Sequence, residues 1–236
     1  MPQSEHLSKQ YDQDLDDIRS RVLEMGGLVE LQIQMALDAY TSGNAELVDR
    51  IIEEDERVNR FEVGIDDACI HIVARRQPAA GDLRTVMAIG KIVTDLERMG
   101  DEAEKIARMS KRIHEQGAHH AQRFPAVRHA AEIAVKMLRQ SLDAFARLDV
   151  ASAAEVLKED TAIDDEFRSV LRQLITYMME DPRTISASLD TVWVAKAIER
   201  IGDHAKNIAE QVIYIVRGTD VRHTSFEDVE RELSKE

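Results

Sequence analysis

The stretch DLERMGDEAEKIA (residues 95–107) returns 102 residues later as AIERIGDHAKNIAE (197–210). Around both copies, apolar or small residues recur at spacings of three and four. They are Val86, Ile89, Val93, Leu96, Gly100, Ala103 and Ala107 in the first, and Val192, Ala195, Ile198, Gly202 and Ala205 in the second. That is the buried stripe of a bundle helix. Both copies also carry what an isolated helix avoids. Acids four residues apart repel by a few tenths of a kcal/mol, and a mid-helix glycine costs roughly 1 kcal/mol against alanine. On the seam, Gly100 and Gly202 let a neighbouring backbone approach closely, which is a reason to accept that cost.

The duplication extends beyond this box. LDAY (37–40) matches LDAF (142–145), and Glu54-Asp55 matches Glu159-Asp160, both at an offset of 105. Seven of fourteen positions agree between 94–107 and 196–209, but only two of fourteen between 51–64 and 156–169, so the acidic box is where the halves still agree. The sequence therefore predicts two three-helix repeats, residues 1–118 and 123–236, joined by a polar segment near 117–124; the second ends in a short tail.

Composition points the same way. In 236 residues there are only 10 Gly, 4 Pro and 4% aromatics, with 44% hydrophobic and 32% charged residues. So little turn chemistry implies few, long elements and an all-α fold. Pro78, Pro125 and Pro182 fall where helices should begin. TSGNAE (41–46) and RLDVAS (147–152) supply breaks, with Ser42 or Asn44 and then Asp149 as N-caps. Six helices are expected, near 6–41, 44–76, 80–116, 125–147, 150–180 and 184–217, with a short tail helix in SFEDVERELSKE. Helices of ~30 residues are ~45 Å long, which favours elongated antiparallel bundles.

The net charge of −14 and pI of about 5.1 argue against nucleic acid and anionic lipid as partners. No apolar run reaches the ~20 residues of a membrane span, and the polar, acidic N-terminus is no signal peptide. One cysteine, Cys69, fits a reducing compartment. A cytoplasmic, soluble protein is expected. No P-loop, G-x-S-x-G, H-E-x-x-H or cysteine-rich zinc pattern is present, and the sole Asp-x-x-His, Asp220 to His223, lies in the tail. A di-iron carboxylate bundle would carry Glu-x-x-His twice. No catalytic centre is expected.

What stands out is a set of oxygen ligands. Glu97 and Asp101 sit one residue past the stripe of the third helix, and Glu199 and Asp203 do the same in the sixth. On the preceding helices, stripes through Ile51, Glu54, Val58, Phe61 and Ile65, and through Val156, Glu159 and Ile163, leave Asp55 with Asn59, and Asp160 with Asp164, alongside. Antiparallel packing would bring each group together. Carboxylates with no base between them share a proton or a cation, and a hard ion such as Mg²⁺, Mn²⁺ or iron suits oxygen ligands. Acid pairs on helix faces are also commonly solvated, and Lys105 offers Asp101 an ordinary ion pair. The residues alone leave metal binding open. His204, beside Asp203, is a secondary ligand candidate. Arg98 and Arg200 are read as pairing across helices or covering apolar surface with their stems, Met178, Met179 and Cys69 as core, and His119 and His120 as solvated.

RRQPAAGDLR (75–84) leading into DLERMGDEAEKIA, and YMMEDPRTI (177–185) leading into AIERIGDHAKNIAE, resemble the PhoU family of phosphate-uptake regulators over nearly the whole chain. The resemblance implies two tandem pseudo-symmetric three-helix bundles, each with a carboxylate site for one or several metal ions. Carried over, those residues are Glu97, Asp101, Asp55 and Asn59 in the first half, and Glu199, Asp203, Asp160 and Asp164 in the second. Asn59 departs from an all-acid pattern, so weaker metal binding is expected in the first half than in the second. The resemblance also implies a non-enzymatic, cytoplasmic negative regulator of phosphate uptake and of the phosphate-starvation response. It would be commonly homodimeric, and would link the ATPase subunit of the phosphate ABC transporter to a sensor histidine kinase. Two other readings stand beside it: a metal-dependent phosphohydrolase-like bundle, and a structural bundle that binds no metal.

Overall fold

The computed structural model describes residues 9–117, 125–222, 224 and 231. Among them are six long α-helices and no strand: α1 (Lys9–Ser42), α2 (Ala45–Arg76), α3 (Ala80–Glu115), α4 (Pro125–Arg147), α5 (Val150–Glu180) and α6 (Ile185–Arg217). The chain is all-α, with six helices at the places the breaks predict. His119, His120 and His223 lie outside the described residues, as do the outer bounds of the two expected repeats and all of the expected tail helix but Arg231.

Local chemistry sets these boundaries. Asn44 caps α2, its Oδ1 accepting from the backbone N–H of Glu46 at 3.0 Å. Asp149 caps α5 through the N–H groups of Ala151 and Ser152 at 3.0 and 3.2 Å. Each such cap contributes about 1 kcal/mol. Pro125 opens α4, where its missing N–H costs nothing, and Pro182 opens a single 3₁₀ turn (Pro182–Thr184) ahead of α6.

Packing makes α3 and α6 the centre of the molecule. α3 packs against α1, α2 and α6, while α6 packs against α3, α4 and α5. Both helices therefore bury residues around much of their circumference, and α2 and α5 bury only a stripe. The full predicted stripe of α3, from Val86 to Ala107, is buried. Leu96, Met99, Ile106 and Ile113 are among its fully covered side chains, each worth ~1.5–3 kcal/mol relative to exposure. The two repeats thus share one core, joined along the α3–α6 seam.

That seam is antiparallel. His204 Nδ1 meets Asp95 Oδ1 at 2.8 Å, Arg200 Nη1 meets Glu102 Oε1 at 2.6 Å, and Arg112 Nη2 meets Asp190 Oδ1 at 3.1 Å. The start of α3 therefore lies beside the end of α6, and the reverse. No helix among the described residues is long and apolar enough to cross a membrane.

Two expectations need correcting. In α2 the buried stripe runs through Ile51, Asp55, Val58 and Ile65, so Asp55 is in the core and Glu54 is not. Glu54 instead holds Arg57 at 2.6 Å. Met179, expected in the core, is 80% exposed.

Candidate functional sites

In the first half the cluster is built around Asp55, a carboxylate only 8% exposed on α2. Gln32, fully buried on α1, donates Nε2 to Asp55 Oδ1 at 3.1 Å and to the Ile51 carbonyl at 3.3 Å. Both partners are acceptors, so the amide orientation is fixed and Gln32 Oε1 remains, buried, with no hydrogen-bond partner. A Cβ on Gly100 would stand 3.1 Å from both Asp55 Oδ1 and Gln32 Oε1. The glycine of the acidic box is thus the wall on which two buried oxygens converge. Asn59 sits at the rim and donates Nδ2 to Asp55 Oδ2 at 3.3 Å.

Three further carboxylates surround this nucleus. Burial raises Glu97 above the ordinary carboxylate range, and the negative charges of Asp101, Glu62 and Asp55 raise it further. Asp101 is raised by burial and then by Asp55. Glu62 is raised by burial, then by Asp66 and Asp101. Lys105, expected to pair with Asp101, goes to Glu102 at 3.2 Å. Gln32 and Glu62 were not singled out from the sequence. Glu62 had a signal, because Asp55, Asn59, Glu62 and Asp66 follow one another at helical spacing. Gln32 had none, since it comes from a different helix.

The second half places the matching residues differently. Asp160 Oδ2 accepts from Lys206 Nζ at 2.6 Å, and Glu199 takes Lys196 at 2.6 and 2.5 Å on its two oxygens. Asp164 leans to Arg168 at 3.6 Å, and Glu159 pairs with Lys136. Burial, then Glu199 and Asp160, push Asp203 up to about 6 against the opposing charge of Lys196. A Cβ on Gly202 would meet Ile163 Cδ1 at 2.7 Å, so this glycine admits an aliphatic side chain where Gly100 admits oxygens. His204 turns to Asp95 across the seam, away from Asp203, and Arg200 pairs across the seam as expected.

The repeat offsets explain the contrast. Where the first half has Gln32, Glu62, Thr94 and Glu104, the second has Met137, Phe167, Lys196 and Lys206. One half gathers oxygens opposed only by the more distant charges of Arg98 and Arg200, neither of which pairs with them directly; the other supplies its own ammonium groups in direct contact, with Lys196 also over the Phe167 ring at 5.4 Å. As they are placed, no three His, Cys, Asp or Glu side chains among the described residues form a group able to hold one ion. The donor chemistry of the first half still suits a hard cation: all oxygen, partly buried, with an unpartnered amide oxygen beside a carboxylate. That of the second half is largely neutralised.

A second kind of surface is duplicated too. Ile70, Val73 and Met87, at the α2–α3 end of one half, are 64, 38 and 57% exposed. In the other half Ile175 and Leu189, the counterparts of Ile70 and Met87, are 45 and 48% exposed, while Met179 and Trp193, each four residues further along, are 80 and 53% exposed. Ile70, Val73 and Met87 line one groove, so the apolar exposure there is grouped rather than scattered. Because α3 and α6 run antiparallel, the two patches lie at opposite ends of the seam, roughly 35 Å apart at 1.5 Å per residue.

Comparison with known proteins agrees with this architecture. The PhoU domain family matches residues 22–110 and again 127–212. A Pseudomonas aeruginosa protein, the phosphate-specific transport system accessory protein PhoU homolog, is 47% identical over 97% of this chain and 94% of its own. The Escherichia coli K12 protein, the phosphate-specific transport system accessory protein PhoU, is 42% identical over 98% of this chain and 95% of its own. The crystal structure of PhoU from Pseudomonas aeruginosa superposes with a TM-score of 0.83 at 46% identity, covering 89% of this chain and all (100%) of that one. The phosphate transport system regulatory protein PhoU from Streptococcus pneumoniae gives 0.82 at 26% identity, over 89% of this chain and 99% of that one.

Proposed function

The chain belongs to the PhoU family, and on that premise we propose that it is an accessory regulator of phosphate uptake, acting as a cytoplasmic, homodimeric adaptor. Its partners on this reading are the ATPase subunit of a phosphate ABC transporter and a sensor histidine kinase, which it holds in the phosphate-replete, signalling-off state. The observation that supports the adaptor reading best is the matched pair of exposed apolar patches around Met87 and Leu189. Two equivalent surfaces at opposite ends of one rigid seam let a single chain hold two protein faces at once. Side chains of this kind are the anchors around which polar rims assemble. In support of a regulatory role, the relatives over nearly the full length are named as accessory proteins of the phosphate-specific transport system.

Metal belongs to this reading in the first half. Asp55 and Gln32 would form the nucleus there, with Glu97, Asp101, Glu62 and Asn59 around it. A bound Mg²⁺, Mn²⁺ or iron ion would supply charge neutralisation. The protein's own residues order α1, α2 and α3 against one another, and so fix the surface offered to a partner.

Removal of the gene tests the regulatory role. Alkaline phosphatase should then be high in phosphate-rich medium. It should be repressed again by the wild-type gene, but not by a gene carrying Met87→Glu and Leu189→Glu, which change exposed positions only. Unchanged phosphatase after clean deletion would remove the proposal.

A further inference from the structure

Among the described residues the widest recess is a groove of about 900 Å³ between the end of α2, the first half of α3 and the end of α6. That volume falls within the ~300–1,000 Å³ of small-molecule sites. The groove follows α3 from Val86 to Arg98, ~18 Å at helical rise. Ile70, Val73 and Met87 form an apolar wall that leaves much of its surface in water. Lys91, Arg98 and Arg222 border the groove, and as many acids answer them. Asp66 and Asp95 line it, and Asp220 holds Arg222 at 2.5 Å. Asp95 also meets His204 at 2.8 Å and accepts from Asn207 at 3.0 Å. The groove therefore offers a ligand no excess charge of either sign.

Gln211 on α6 lines this groove and is only 3% exposed. Its Oε1 is buried with no hydrogen-bond partner, and among the described residues its side chain makes no hydrogen bond at all. A buried amide in that state is unfavourable, and native structures give such groups a partner from protein, water or ligand. Asn207 is level with Asp95 across the antiparallel seam, so Gln211, one turn further on, is level with Gly90 and Lys91, beside the Met87 wall. A Cβ on Gly90 would meet only Asp66 Oδ1, at 3.9 Å, so α3 leaves open space at this level.

We propose that this groove binds a small neutral molecule with an apolar body and a carboxamide-type edge. The body lies against Ile70, Val73 and Met87, and the edge pairs with the Gln211 amide, N–H to C=O in both directions. A carboxamide matches both atoms of a glutamine side chain whichever way that side chain is turned, whereas the single oxygen of an alcohol or a water cannot meet both in line. A carboxylate or an ammonium would give up its hydration for a rim whose charges are already balanced. Apolar walls with a few placed polar groups are the usual make-up of a ligand site. A molecule seated there covers Met87 and so competes with a protein docked on the first patch. The site does not rest on the adaptor reading, because it is a property of the free protein.

The test titrates hexanamide, hexanol, hexanoate and hexylammonium into the full chain carrying isotope-labelled methionine methyl groups, followed by NMR. Met87 reports the groove, and Met179, 80% exposed in the other patch, reports unspecific adsorption. Hexanamide should shift Met87 saturably without shifting Met179, and should bind about fivefold or more tightly than each of the other three. Gln211→Leu should lower hexanamide to the affinity of hexanol and leave hexanol unchanged. No saturable shift of Met87, or equal shifts of both methyl groups, overturns the proposal. Equal affinity for amide and alcohol overturns it as well, and makes water the partner of Gln211. A shift that comes only with dissociation of a dimer, seen by light scattering, names a second copy as the occupant and overturns it too. The comparison of ligands on the wild-type chain stands even if Gln211→Leu does not fold. Phosphatase in the deletion strain is independent of these titrations, so failure of the adaptor reading and failure of the site are told apart.

Discussion

Lys206 Nζ stands 2.6 Å from Oδ2 of Asp160, inside the second carboxylate cluster and at the position where the first half carries Glu104. With Lys196 on Glu199, the second cluster holds two internal cations. A metal ion entering there must displace an ammonium group, while in the first half it relieves repulsion among Asp55, Glu62, Glu97 and Asp101. The count of acids, which favours the second half because Asn59 replaces an acid in the first, is outweighed by these lysines. Mn²⁺ titrated into metal-free protein should therefore fill the first half before the second. Asp55→Asn should abolish that tight binding, and Lys196→Met with Lys206→Met should create affinity in the second half. Calorimetry in which Asp203→Asn, rather than Asp55→Asn, removes the tighter site would refute this order.

The two box glycines should fail differently. Gly202→Ala gains about 1 kcal/mol of helix propensity but drives its Cβ to 2.7 Å from Ile163 Cδ1, in a core where overpacking costs ~1–3 kcal/mol. A net loss of about 1 kcal/mol is expected in urea denaturation, and Ile163→Val, which removes that methyl, should recover part of it in a double-mutant cycle. Gly100→Ala meets Asp55 Oδ1 and Gln32 Oε1 at 3.1 Å, so it should leave stability nearly unchanged and weaken metal binding. Additivity in the first pair, or undiminished metal binding in Gly100→Ala, would contradict these contacts.

Most of the fold was legible because helix breaks are rare here and chemically explicit: Asn44, Asp149, Pro125 and Pro182 stop or start helices where they stand. The register of α2 was not. The spacing runs the stripe through Glu54 and leaves Asp55 alongside it, whereas Asp55 is the buried one, and what makes its burial tolerable is the Gln32 amide from another helix. No pattern within α2 reports that partner. Lys196 and Lys206 were visible three residues from Glu199 and Asp203, but a lysine at that spacing reads equally as a solvated surface charge. Only the fold decides that both turn inward. Met179 was misread for the opposite reason, since an apolar residue on an exposed helix face and one in a core are alike in sequence.

Glu210 should make stability fall as pH rises. It is 7% exposed, and burial pushes it up to about 7 despite the opposing charges of Lys206 and Arg222. The folded state therefore binds its proton more tightly than the unfolded chain, where the ordinary value is 4.5. The stabilising proton is fully present below that ordinary value and is lost as pH rises through about 7. A shift of this size is of order 1–3 kcal/mol. Glu210→Gln should remove that part of the slope between pH 5 and pH 8, read as the difference in unfolding midpoints from wild type. Parallel curves for the two proteins would place the titration elsewhere.

Asp190 is 3% exposed at the start of α6, where it accepts from Arg112 Nη2 at 3.1 Å and from Gln116 Nε2 at 3.2 Å, both at the end of α3. This pair closes the far end of the seam. Arg112 itself is 59% exposed, so its own desolvation is small while that of the carboxylate is nearly complete. Removing the arginine leaves a buried negative charge with one neutral donor, which costs several kcal/mol when burial is full and about 2 kcal/mol with water at the rim. Arg112→Met should therefore destabilise the protein by about that amount. Adding Asp190→Leu should restore most of it, because an apolar pair of similar volume leaves no unpaired charge. If instead the double variant is less stable than Arg112→Met alone, the carboxylate contributes through its bond to Gln116, and the seam is closed by that hydrogen bond rather than by the ion pair.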